Sequence, residues 1–125
     1  MSRATGAPSL SEIDEMTLPN VDWDALPWTP VRPGVERKVF TGEGATLALH
    51  RLMPGHEPRP HSHVHEQIVF ILAGTIRFHV NGEQHLVGPN GLLAIPPNAE
   101  HWGEVVGDEP VLNLDIFTPK RPEYL

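Results

Sequence analysis

Cysteine is absent from this 125-residue chain, which excludes disulfides, thiolate zinc sites and a cysteine nucleophile. Long apolar runs are missing as well. No segment approaches the roughly 20 residues that a membrane-spanning helix needs, and the residues from Met1 to Pro8 lack the apolar stretch of a secretory signal. A soluble, cytoplasmic protein with no membrane partner is the expectation. Positive charge is scarce: nine Lys and Arg stand against sixteen Asp and Glu, for a formal charge of −7. The basic residues are scattered, so a phosphate backbone would be repelled, and no nucleic-acid partner is expected. What the chain has in excess is proline and glycine, fourteen and eleven. Each ends or weakens a helix, so the composition excludes a helical bundle and favours short strands joined by many turns.

Residues 1 to 34 carry five of the prolines and few periodic apolar positions. They read as an N-terminal arm, with one short helix over Ser9 to Met16, where Ser9 and Glu12 stand at capping-box spacing. Trp23, Leu26 and Trp28 would be exposed on a free tail, so the arm is expected to pack on the barrel or on a second subunit. From 35 to 125, short β-branched or apolar runs alternate with Gly, Pro and Asn. Strands are expected near 36–41, 45–53, 59–63, 67–73, 75–80, 84–87, 91–95, 101–106 and 111–117. Gly74 suits a tight turn, and Asn81-Gly82 tolerates positive φ at both central positions of a two-residue hairpin. So many strands in so short a span predict an all-β barrel or jelly roll.

Histidine is concentrated where that pattern turns unusual. Gly55-His56-Glu57-Pro58-Arg59-Pro60-His61-Ser62-His63-Val64-His65-Glu66-Gln67 is answered by Ile95-Pro96-Pro97-Asn98-Ala99-Glu100-His101. Imidazoles one residue apart on an extended segment point to one side, so His61 and His63 can reach one ion. His65 and Glu66 alternate away from it, and His50, His56, His79 and His85 read as surface or packing residues. Trp102, directly after His101, reads as packing or as a wall of the pocket.

These two segments resemble the paired motifs of the cupin superfamily. Gly55, His61, His63, Gln67 and Gly74 match the first motif, with Gln in place of Glu. Pro96, Asn98 and His101 match the second, with Asn98 where Gly is usual, Gly91 displaced by one place and Val105 where Asn is usual. The resemblance implies a double-stranded β-helix, a jelly-roll barrel, that forms a homodimer. It also implies one divalent transition metal ion held by His61, His63, Gln67 and His101. With four neutral ligands the ion would keep its full dipositive charge and strong Lewis acidity. Manganese, iron, nickel, cobalt and zinc all accept such ligands.

The stretch from Trp28 to Lys38, the run His63-Val64-His65-Glu66-Gln67-Ile68 and the ending Asp115 to Leu125 resemble the pectin-degradation small cupins, which convert 4,5-unsaturated uronates from ring to linear keto forms. One departure is that three residues, not four, separate His63 from Gln67. By this resemblance Asp115 is a candidate general acid or base, Arg121 a carboxylate-binding group and Phe117 a cavity wall. Alternation puts Val111, Asn113, Asp115 and Phe117 on one face of the last strand and Leu112, Leu114 and Ile116 on the other. Simple patterning would bury the second face, whereas the resemblance turns the first into the cavity. The expected function is metal-dependent isomerase or lyase chemistry on a sugar acid or related oxygenated small molecule. An iron-dependent dioxygenase and a non-catalytic ligand-sensing module are the alternatives.

Overall fold

The computed structural model describes residues 18–124; the helix expected over Ser9 to Met16 lies outside them. Two short 3-10 turns, Trp23–Ala25 and Pro122–Tyr124, flank nine strands. These are β1 Thr29–Arg32, β2 Val35–Thr41, β3 Thr46–Leu52, β4 Glu66–Ala73, β5 Ile76–Val80, β6 Glu83–Val87, β7 Leu92–Ile95, β8 His101–Val105 and β9 Val111–Thr118. They form a six-stranded sheet, ordered β1-β2-β3-β9-β4-β7, and a three-stranded sheet, ordered β6-β5-β8, with antiparallel pairing throughout. The all-β expectation holds. Val35, Leu52, Val69, Ile71, Ile76, Phe78, Val87, Ile95 and Val111 make the buried core that joins the two sheets.

Eight strands lie where the residue pattern places them, within one or two positions, and two segments differ. Around 59–63 there is no strand, only an isolated bridge in which His61 and His101 exchange backbone hydrogen bonds of 3.1 and 2.8 Å. Pro58 and Pro60 explain this, because neither has an N–H to extend a ladder. Conversely, Thr29–Arg32, expected within the arm, pairs with β2. Pro30 hid this strand, but β1 is an edge strand, where a missing donor is tolerated.

The turns follow their residues. Asn81 (φ 48°) and Gly82 (φ 84°) close the β5–β6 hairpin. Gly74 has φ 80°, and a Cβ there would meet the Pro110 carbonyl oxygen at 2.5 Å, so only glycine fits. The described part of the arm docks on its own barrel: Trp28 carries Lys38 Nζ 4.6 Å and Arg51 Cζ 4.3 Å from its ring centroid. Lys38 also donates to the Trp23 carbonyl at 2.7 Å.

Alternation along the six-stranded sheet decides what faces inward. On β9, Val111, Asn113, Asp115 and Phe117 are buried while Leu112, Leu114 and Ile116 are only partly covered. The polar face is therefore the interior one, against simple patterning and as the cupin resemblance implies. Register extends that face sideways: Phe117 pairs with Gln67 and Thr46, Asp115 with Val69 and Ala48, and Asn113 with Ile71 and His50. Two strands further out, Arg37 pairs with His50, and so shares the same interior face.

Candidate metal centre and cavity

The His61–His101 bridge is the structural device that brings the two histidine segments together. Its registration places the His61 and His101 ring centroids 4.4 Å apart, with His63 at 5.5 Å from the first and 4.9 Å from the second. Asn98 secures the same junction. It sits at φ 65°, a conformation Asn reaches more readily than other side chains short of glycine, and its N–H donates to the His63 carbonyl at 2.7 Å. That explains Asn where the motif usually has Gly.

Each histidine donates Nδ1–H to a backbone carbonyl: His61 to Arg59 at 2.7 Å, His63 to His65 at 3.0 Å and His101 to Ala99 at 2.9 Å. Carbonyl oxygens only accept, so the proton is on Nδ1 and the lone pair of each neutral ring is on Nε2. All three rings are held neutral by their surroundings. Burial pushes the His101 pKa down to about 4, only partly opposed by its bond to Ala99. The pKa of His61 is lowered by burial and by the charges of Arg121 and Arg32, and that of His63 by burial and Arg121. The ligand atoms of the three residues lie within 4.8 Å of one another, a cluster that could bind a metal ion. His101 Nε2 is buried with no hydrogen-bond partner among the described residues.

Gln67 stands beside them on β4. Its Nε2 donates to Asp115 Oδ1 at 2.8 Å, which turns Oε1 towards His63 Nε2, 3.1 Å away. The Nε2 of a neutral His63 protonated on Nδ1 has no proton to offer, so two lone pairs face each other. Two donors bound at right angles to one ion, each by a bond of about 2.1 Å, would stand roughly 3 Å apart. The donor set and its orphaned lone pairs fit a divalent ion.

His61 and His101 open into a cavity of about 90 Å³ between the sheets. His61, His101, Gln67, Asp115 and Phe117 line it, as does Trp102. Asp115 is buried and binds Gln67 through Oδ1, while Oδ2 lies 2.9 Å from His50 Nδ1, too oblique for a hydrogen bond. The Phe117 ring meets His63 edge-on, with centroids 5.5 Å apart. Arg121 packs against this wall, near enough for its charge to act on His61 and His63. Its guanidinium lies 4.7 Å from the Phe117 ring and 4.1 Å from that of Tyr124, and Nε donates to Glu123 at 3.1 Å. Its Nη1 is buried without a hydrogen-bond partner among the described residues.

Several lining residues were not singled out by sequence. His50 is not a surface or packing histidine but a neighbour of Asp115, as its place opposite Asn113 on β3 dictates. Asn113, Arg32, Arg37 and Arg59 also line the cavity. The alternation that points Asp115 inward also points Asn113 there, and carried across the β3–β9 and β2–β3 registers it reaches His50 and Arg37. His65 is a buried neighbour that orients His63 through its carbonyl. His56 is buried against Gly34, and His79 stacks on Trp102 at 3.9 Å.

Residues 48–117 match the cupin domain model. The chain belongs to the cupin family. This cupin is 28% identical over 104 residues to the pectin degradation protein KdgF of Dickeya dadantii, covering 82% of this chain and 94% of the relative. A second relative, the HTH-type transcriptional regulator YobQ of Bacillus subtilis, is 36% identical over 56 residues, 45% of this chain and 23% of the regulator. Among solved structures, KdgF from a Halomonas species superposes with a TM-score of 0.76 at 24% identity over 83% of this chain and 96% of its own. An RmlC-like cupin from Shewanella frigidimarina reaches 0.77 at 17% identity over 84% and 94%. These structures establish the jelly-roll cupin fold.

Proposed function

We propose that this cupin is a metal-dependent enzyme of isomerase or lyase type acting on a sugar acid or a related oxygenated acid, its ion held by His61, His63, His101 and Gln67. The observation that carries the reading is the facing pair of lone pairs, His63 Nε2 and Gln67 Oε1, 3.1 Å apart beside the unpartnered Nε2 of His101. A bound divalent ion would supply Lewis acidity to a carbonyl oxygen or a water.

The rest of the chemistry falls to the chain. Asp115 is the carboxylate on the cavity wall, and it acts as the acid or base that moves a proton at the substrate carbon next to a polarised carbonyl. Its bond to Gln67 couples its position to the ion's ligand set, and His50 flanks its second oxygen. Phe117 closes one side of the cavity against water. Arg121 packs on the rings of Phe117 and Tyr124, and so acts by positioning. Similarity to a pectin degradation protein along 82% of the chain supports unsaturated uronates as the substrate class. The test is the absorbance of such uronates on adding metal-loaded protein. Decay of the signal is expected, and an unchanged signal across a panel of uronates would remove the uronate version.

The chain acts as a homodimer in this reading. Support comes from the outer face of the six-stranded sheet, where the exposed Ile68, Leu72 and Leu92 adjoin Leu112, Leu114 and Ile116. Light scattering at the mass of two chains is the expected result.

A further inference from the structure

The charge of the cavity is opposite to that of the molecule. Three arginines, Arg32, Arg37 and Arg59, line it against one carboxylate, Asp115, in a protein whose formal charge is −7. Cations gathered in a cleft with low-dielectric walls focus a positive potential on whatever enters it.

The three arginines are not equivalent. Arg37 lies over the Tyr124 ring, 3.9 Å from its centroid. Arg32 uses only Nε, which donates to the Glu57 carbonyl at 2.7 Å and fixes the plane of the guanidinium. Its terminal nitrogens remain available. Arg59, two residues before His61, is exposed. Among the described residues neither Arg32 nor Arg59 forms an ion pair. They nevertheless stand close enough to repel: burial and then the Arg59 charge lower the Arg32 pKa, opposed by the charges of Glu57 and Tyr124. Two planar forks that face one opening without an anion between them suit a carboxylate, which both can bind with charge-assisted hydrogen bonds. Asn113 adds a separate sign of a ligand. Its Oδ1 is buried on the cavity wall without a partner among the described residues, an acceptor suited to a hydroxyl.

We propose that Arg32 and Arg59 are the carboxylate-binding pair of this cavity, so that the acid group of the substrate sits between them while its oxygenated end reaches the histidines. This assignment rests on the metal-cupin reading and deepens it. The carboxylate-binding role expected of Arg121 passes in this proposal to two residues that line the cavity.

The experiment is titration calorimetry of the metal-loaded full chain with D-galacturonate and with its uncharged methyl ester. Wild-type protein is expected to bind the acid at least about tenfold more tightly than the ester, the size of one charge-assisted hydrogen bond. Arg32→Gln and Arg59→Gln should each cut that preference to about threefold or less by weakening the acid alone, with metal content unchanged. Arg121→Gln should preserve it. An equal affinity for acid and ester in the wild type overturns the proposal, as does a preference that survives both substitutions or vanishes in Arg121→Gln. Wild-type protein that takes up no metal would instead defeat the metal-cupin reading. The acid–ester comparison on that protein would still judge the arginines.

Discussion

The two faces of β9 are built from alternate residues of one strand and have opposite characters. Inward, Asn113 and Asp115 are buried polar groups between Val111 and Phe117; outward, Leu112, Leu114 and Ile116 are apolar and only partly covered. A strand selected for stability alone would be reversed, because buried polar groups cost free energy unless they are paired and exposed apolar surface gains nothing from water. The two faces are the ones the proposed reading needs, a ligand site inside and a subunit contact outside.

Substitutions on each face should break this contrast in different ways. The largest effect belongs to Asp115→Asn, expected to lower turnover by about 10²- to 10⁴-fold, the usual contribution of a positioned acid or base. Leu114→Asn on the opposite face should leave turnover of the remaining folded protein nearly unchanged, and steady-state kinetics on the same substrate compare the two. Next in size is Phe117→Ala, expected to cost about 3–5 kcal/mol in urea unfolding because it empties a fully buried site. Ile116→Ala, one residue away and half-covered, should cost about 1 kcal/mol. The double change Ile68→Glu with Leu72→Glu should halve the mass seen by light scattering while metal content stays intact, since both side chains are exposed on the outer face.

The smallest effect is the pH dependence of the metal-free protein. Folding holds the pKa values of His61, His63 and His101 below the ordinary value of 6.5, that of His101 at about 4. Between those limits the unfolded chain binds more protons than the folded one, so stability should fall as the pH drops from 6.5 towards 4. Urea midpoints across that range check the sign. Saturating divalent metal should flatten the slope, because the ion competes with the same protons.

Much of this architecture was legible beforehand, for identifiable reasons. The Asn81-Gly82 and Gly74 turns followed from backbone stereochemistry, and His61, His63 and His101 followed from spacing. The inward direction of β9 did not follow from hydropathy. Leu112, Leu114 and Ile116 out-score their neighbours, and only the likeness to cupins pointed the other way. Pro30 concealed an edge strand, and Pro58 with Pro60 made a strand of what is a single bridge. The arginines of the cavity were missed because their convergence is a matter of register: residues 32, 37 and 59 come from β1, β2 and a loop, and nothing local marks them as neighbours.

The central claim is that Nε2 of His61, His63 and His101 and the Oε1 of Gln67 hold one divalent ion. Elemental analysis of wild-type protein purified without added metal, beside His63→Ala and His101→Ala, tests it most directly. One equivalent per chain in the wild type and less than about a tenth of that in either variant is the predicted result. Metal retained by both variants, or absent from a wild-type protein that also takes up none of the five candidate metals on dialysis, would contradict it.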